Sequence, residues 1–168
     1  MPDSSTRLAL ADASRPEPGH GLFRWLFLLF VFLVGTQVWA ATPMVLSGRS
    51  HTCAVLASGA VQCWGINNIG QLGNGSTTNS STPVSVIDNG NINAIAVSAG
   101  DDHTCAVLAS GTVQCWGYNG SGNLGNGSTM SSSTPVSVTG ISNATAVSVG
   151  NYHTCAVQIG RASCRERV

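Results

Sequence analysis

The fifteen residues HTCAVLASGAVQCWG at 51–65 return at 103–117 as HTCAVLASGTVQCWG, with Thr112 in place of Ala60, and a third copy opens as HTCAV at 153–157. No other feature restricts the fold so severely. A fixed period near fifty residues means an architecture in which one structural unit is stacked on the next. Aligning His51, His103 and His153 gives periods of 52 and then 50 residues. The difference falls between Pro83 and His103, because Cys63 to Pro83 and Cys115 to Pro135 are both 20 residues.

Each unit holds short β-branched runs divided by turn residues. In the second unit they are AIAVSAG (94–100), HTCAVL (103–108), TVQCWG (112–117) and TPVSVT (134–139). Four short strands in about fifty residues is the content of one propeller blade. Helical periodicity is absent from 42–158. The predicted class is all-β: propeller blades, each a four-stranded antiparallel sheet, with two complete repeats and the start of a third in residues 42–158. A closed ring of even four to seven such blades needs roughly 200–350 residues. The expected object is therefore a fragment of a larger propeller, with open strand edges.

Within the repeated stretch, setting Cys105 opposite Cys115 centres a hairpin on Ser110, pairs Val107 with Val113 and leaves ASG as a three-residue loop. Such a loop wants a residue with positive φ at its end; Gly111 supplies it, as Gly59 does around Ser58 in the first copy. Cys53, Val55, Val61 and Cys63 then share one face, and Ala54, Leu56, Gln62 and Trp64 the other. Both faces are largely apolar, as a blade packed between two neighbours requires. Opposed residues on antiparallel strands hold their β-carbons about 4.5–5.5 Å apart, short enough for a disulfide after slight adjustment. We expect Cys53–Cys63 and Cys105–Cys115 bridges; which residue pairs with Cys155 is left open. Two alternatives stay open. One is zinc, from His51, Cys53, Cys63 and a further ligand, although zinc motifs usually set their cysteines two to four residues apart. The other is isolated buried thiols, should the chain not be exported.

Longer stretches around the hairpins, GRSHTCAVLASGAVQCWGINNIGQLGNGS (48–76) and GDDHTCAVLASGTVQCWGYNGSGNLGNGS (100–128), resemble the regulator of chromosome condensation repeat. The matching features are the Gly-x-x-His start, the glycine before the second strand, the closing Trp-Gly, and NIGQLGNG or GNLGNG after it. The resemblance covers about 42–158. It implies a β-propeller, in that family typically of about seven blades of some fifty residues each. The paired cysteines resemble the secreted bacterial members more than the nuclear eukaryotic one.

Composition removes one class of partner. Only 8% of residues are charged, against about 25% in ordinary domains. There is no lysine, and within 42–158 the charges are Arg49, Asp88, Asp101 and Asp102. Nucleic-acid binding needs a basic stripe that displaces counterions from phosphates, so no nucleic-acid partner is expected. The ends of the chain stand apart from the repeats. A stretch with Arg24 at its end, the apolar run WLFLLFVFLV (25–34) and small residues at Ala40 and Ala41 follow the order of a secretory signal. The reading is a signal peptide over 1–41, with a membrane anchor as the alternative if it stays uncleaved. At the other end, IGRASCRERV (159–168) carries Arg161, Arg165, Glu166 and Arg167 and replaces the LASG the repeat calls for. It resembles one translated frame of a short-read sequencing adapter, so we expect 159–168 to be a non-native tail after Gln158.

The recurring histidines invite a catalytic reading, but only His103 has acids beside it, and a general acid–base couple needs both partners within hydrogen-bond reach. We expect His51, His103 and His153 to be structural repeat positions, with Trp64, Trp116, Gly65 and Gly117. The loop NNIGQLGNGS (67–76) lacks the Lys-Ser/Thr of a phosphate loop, and the GNGS loops carry no carboxylate for calcium. No catalytic residue, metal or cofactor is expected. The hydroxyl-rich connections NGSTTNSSTPVSV (74–86) and NGSTMSSSTPVSV (126–138) are candidate recognition loops. The expected function is a non-catalytic binding scaffold of the bacterial exported type, secreted or at the cell surface, with an extracellular protein or glycan and further blades of the same chain as partners. The alternatives are an accessory propeller of an extracellular enzyme and, less favoured, a nucleotide-exchange factor for a small GTPase.

Overall fold

Alternation along HTCAV and VQCWG hides one row of side chains and fixes the register. In the computed structural model, β2 (His51–Val55) and β3 (Val61–Gly65) pair antiparallel, with Cys53 opposite Cys63 and Val55 opposite Val61. The second copy repeats this in β6 (His103–Leu108) and β7 (Val113–Gly117), with Cys105 opposite Cys115 and Val107 opposite Val113. Leu56 N–H meets the Ala60 carbonyl at 2.8 Å and Leu108 N–H meets Thr112 at 2.9 Å. Counting back three positions from these hydrogen-bonded pairs puts both cysteine couples at non-hydrogen-bonded positions, where the strands come closest. Their Cα atoms are 4.1 and 4.0 Å apart, and both couples are bridged. Gly59 (φ 83°) and Gly111 (φ 79°) sit in the left-handed region at the hairpin tips.

The structure describes residues 42–87 and 92–165; the segment read as a signal or anchor, and Asp88, lie outside them. Around the hairpins, β1 (Met44–Ser47) and β4 (Ser80–Ser85) complete a sheet of order β1-β2-β3-β4. β5 (Ala94–Ala99) and β8 (Ser132–Ser137) complete the order β5-β6-β7-β8. A third sheet holds β9 (Ala144–Val149), β10 (Thr154–Gln158) and β11 (Arg161–Arg165) in the order β11-β10-β9. Every element among the described residues is a strand, and no helix among them is long and apolar enough to cross a membrane.

The last strand of the second unit begins two residues earlier than its β-branched residues indicate. A bulge between Cys115 and Gly117 brings Ser132 opposite Gly117, so backbone pairing recruits the hydroxyl-rich residues. At the other end Val138 still donates to the Val113 carbonyl at 2.9 Å. β11 also lies where the repeat was expected to have stopped. It sets Cys164 opposite Cys155, and Cys155 is disulfide-bonded.

The sheets stack face to face, and the core is at their seams. One cluster joins Cys53, Val55, Val61, Cys63 and Leu72 of the first sheet to Ala94, Val97, Ala106, Leu108 and Trp116 of the second. The other joins Cys105, Val107, Val113, Cys115 and Leu124 to Ala144 and Ala156 of the third. The Cys53–Cys63 and Cys105–Cys115 bridges thus face the following blade, while Ala106, Leu108 and Trp116 of the second blade meet the first. The first strands β1, β5 and β9 run beside one another, and Val149 N–H donates to the Ser98 hydroxyl at 3.1 Å.

Candidate functional site

The histidines are built into the seams. His51 is 3% exposed, with its Nε2 2.7 Å from the Thr104 hydroxyl of the next blade. That hydroxyl donates to the Gln71 carbonyl at 3.0 Å, so its oxygen must accept from His51 Nε2–H. This tautomer leaves Nδ1 bare, and Nδ1 is buried without a hydrogen-bond partner. The next seam repeats the chain of bonds. His103 Nε2 lies 3.0 Å from the Thr154 hydroxyl, which donates to the Asn123 carbonyl at 2.9 Å. Burial is the main cause that lowers both histidines to about pKa 4; the Asp102 charge opposes it at His51 and Asp101 at His103, where the neighbouring histidines add to the depression. Both rings are therefore neutral at pH 7 and engaged in holding blade to blade. His153, whose repeat position would face a further blade, is exposed.

Thr104 and Thr154 touch the bridges as well as the histidines, with hydroxyls 4.0 Å from Cys53 Sγ and 3.6 Å from Cys105 Sγ. Because Cys53 and Cys63 share a bond, neither offers a thiolate to the zinc alternative. Among the described residues no group of three or more His, Cys, Asp or Glu side chains is arranged to hold a metal ion. Trp116 is wholly buried and donates Nε1–H to the Gln71 carbonyl at 2.9 Å. Trp64, its counterpart, is half-buried. Gly65 and Gly117 pair with His51 and His103 across the hairpins.

At the histidine end of each blade lies the long loop from the third strand to the fourth, and its organiser is a residue the sequence reading passed over. Asn67 is wholly buried; its Nδ2 points at Asn74 Oδ1 (3.1 Å) and the Ser76 and Thr78 carbonyls (2.9 and 3.1 Å), while its Oδ1 accepts from Leu72 N–H at 2.9 Å. Asn119 does the same in the second blade with Asn126, Ser128, Met130 and Leu124. The signal was present in the sequence as Trp-Gly-x-Asn in both copies. With the loop bolted from inside, its crest is exposed, while Asn79 Oδ1 and Ser131 Oγ still accept from the Asn67 and Asn119 N–H groups at 2.7 and 3.2 Å. Thr77, Thr78 and Asn79 are exposed in the first loop, and Thr129, Met130 (78%) and Ser131 in the second. The adjacent turns are tied by Arg49 N–H to the Gly100 carbonyl at 3.2 Å and by the ion pair of exposed Arg49 with half-buried Asp101 at 3.7 Å.

Comparison with known proteins agrees with this geometry. The model of the Regulator of chromosome condensation (RCC1) repeat matches residues 58–107 and 110–157, and a second model of that repeat matches 94–123. Among curated proteins, the ultraviolet-B receptor UVR8 of Arabidopsis thaliana is 38% identical over 123 residues, 72% of this chain and 27% of the receptor. The human E3 ubiquitin-protein ligase HERC2 is 32% identical over 103 residues, covering 60% of this chain and 2% of the ligase. Among solved structures, human WBSCR16 superposes with a TM-score of 0.66 at 22% identity, over 78% of this chain and 34% of that one. Prp20p of Saccharomyces cerevisiae gives 0.62 at 19% identity, over 73% and 32%. The chain thus spans about a quarter of the receptor's length and about a third of either solved propeller.

Proposed function

The chain belongs to the regulator of chromosome condensation (RCC1) repeat family, and on that premise we propose that it is a non-catalytic binding scaffold, exported to the cell surface or the medium, that recognises a protein or a glycan through its rim loops. The observation that carries the reading is the pair of loops held rigid from inside by Asn67 and Asn119 while their hydroxyl-bearing crests stand exposed. Rigid presentation lowers the entropy lost on binding. The buried histidines, meanwhile, are engaged in seam bonds. Export is supported by the apolar run at 25–34 and by disulfides, which persist in oxidising compartments. In this proposal residues 159–168 are foreign to the repeat.

The test replaces Thr77, Thr78, Thr129 and Met130 with glycine and alanine, leaving Asn67 and Asn119 and the side chains that accept from their N–H groups, Asn79 and Ser131, in place. Wild type and variant are then compared on immobilised glycans and candidate surface proteins. Binding by wild type that disappears in a variant of unchanged melting temperature supports the scaffold; binding indifferent to the loops overturns the assignment. A second reading, that these blades accompany a catalytic domain, draws on the 32% identity to a ligase of which they cover only 2%. Sequencing the full gene separates the two, because an appended domain with a catalytic constellation favours the second. Nucleotide exchange on a small GTPase ranks below both, since export and disulfides fit a cytosolic partner poorly.

A further inference from the structure

We propose that Asn126, at the base of the second rim loop, is a modification site, where the Gly127 backbone nitrogen converts the side-chain amide to a carboxylate. Its counterpart Asn74 is protected from the same reaction by the next blade. Asn-Gly occurs at 74, 89, 119 and 126. Glycine has no β-carbon to obstruct the approach of its nitrogen to the asparagine Cγ. Asn89 lies outside the described residues. Asn119 is wholly buried, and its Nδ2, the group that would leave, is held by Asn126 Oδ1 and the Ser128 and Met130 carbonyls.

Asn74 and Asn126 are matched at the electrophile. Asn74 Oδ1 accepts from Asn67 Nδ2 at 3.1 Å and from Ser76 N–H at 3.2 Å. Asn126 Oδ1 accepts from Asn119 Nδ2 at 3.2 Å and from Ser128 N–H at 3.1 Å. Two donors on one carbonyl oxygen stabilise the negative charge that develops there as Cγ is attacked. The backbone is matched too, with φ of 74° at Gly75 and 81° at Gly127. The nucleophile differs. Gly75 N–H donates to the Ser133 carbonyl of the second blade at 2.9 Å, and a β-carbon on Gly75 would lie 2.7 Å from Ile87 Cδ1. Gly127 N–H has no acceptor among the described residues, and a β-carbon there would meet nothing within 4 Å. An amide proton bonded to a carbonyl is withheld from solvent base until that bond opens; the Gly127 proton is not withheld.

Hydroxide takes the Gly127 N–H proton, the nitrogen bonds to Asn126 Cγ, and the Cγ–Nδ2 bond breaks. Nδ2 gains a proton from water and leaves as ammonia. A second water opens the resulting succinimide at either carbonyl, giving aspartate or isoaspartate. Both products put a charge into a loop, 119–131, whose sequence carries none.

The experiment incubates the full chain at neutral and alkaline pH, folded and also reduced in denaturant. Aspartate and isoaspartate in each Asn-Gly peptide are read by mass spectrometry after digestion at low pH. In the folded chain Asn126 should convert roughly five- to tenfold faster than Asn74, the factor that one backbone hydrogen bond supplies. Its rate should rise with pH. In denaturant the two Asn-Gly-Ser sites should convert at the same rate. Equal rates in the folded chain, or a faster Asn74, overturn the proposal, as does a difference that persists after unfolding.

Discussion

A histidine that donates Nε2–H to a buried threonine, with its other ring nitrogen bare, is held neutral by its surroundings. Protonating His51 or His103 would place a charge in an apolar seam. The unfolded chain takes up those protons near pH 6.5, the folded chain only near pH 4. Between these values the unfolded state binds more protons, so stability is complete above about pH 6.5 and falls as the pH drops towards 4. A depression from 6.5 to about 4 corresponds to at most about 3.4 kcal/mol per histidine. Urea midpoints measured from pH 7.5 to 4 should decline across that window, and the decline should shrink in His51→Gln and His103→Gln. A flat wild-type profile would contradict the assignment of a bare, buried Nδ1. The sequence displayed these histidines as recurring positions, with acids beside His103 alone. It did not display their partners, because Thr104 and Thr154 lie 53 and 51 residues further along the chain.

At the scale of the element, the hairpin was the legible unit because all its determinants are local. Alternation fixed the faces, glycine fixed the turn, and opposition fixed the bridge. The chain-entropy model gives a bridge closing so short a loop roughly 2.5–3 kcal/mol. Replacing Cys53 and Cys63 together by alanine should cost about that much in denaturant titration, and peptide mapping without reduction should recover Cys53–Cys63 and Cys105–Cys115. A Cys53–Cys105 peptide would show the register to be wrong. The long loops were less legible, since a buried asparagine looks in sequence like any turn residue. Asn67→Ala removes a side chain that satisfies several backbone groups, and each buried group left unpaired costs about 1–3 kcal/mol. We expect Asn67→Ala and Asn119→Ala to open their loops to limited proteolysis within 67–79 and 119–131, whereas Thr77→Ala, on an exposed crest, should leave cleavage unchanged. Equal protection in the asparagine variants would remove the claim that these residues brace the rim.

For the whole molecule, what matters is that blades are joined by seams and that each seam needs both of its faces. Trp116 occupies a complete seam and Trp64 does not, so Trp116→Ala should cost about 3–5 kcal/mol, as truncation of a buried tryptophan does, and Trp64→Ala distinctly less. None of this asymmetry is visible in the sequence, where both residues sit in the same QCWG. It arises only when Trp116 meets Gln71 and Gly73 across the gap between sheets. In a stacked array, stability is approximately the sum of blade terms and nearest-neighbour seam terms. Duplicating residues 51–102 in frame after Asp102 adds one blade together with one seam, complete with its His-Thr-carbonyl chain and its buried tryptophan. If the seams couple the blades, the extended chain melts in one transition at a temperature several degrees higher. If the blades were independent, the transition would grow in amplitude at an unchanged midpoint. Scanning calorimetry distinguishes these outcomes. Combining the duplication with Thr104→Val, which deletes the hydroxyl between His51 and the Gln71 carbonyl, should cancel part of the gain if the threonine is the contact through which one blade steadies the next.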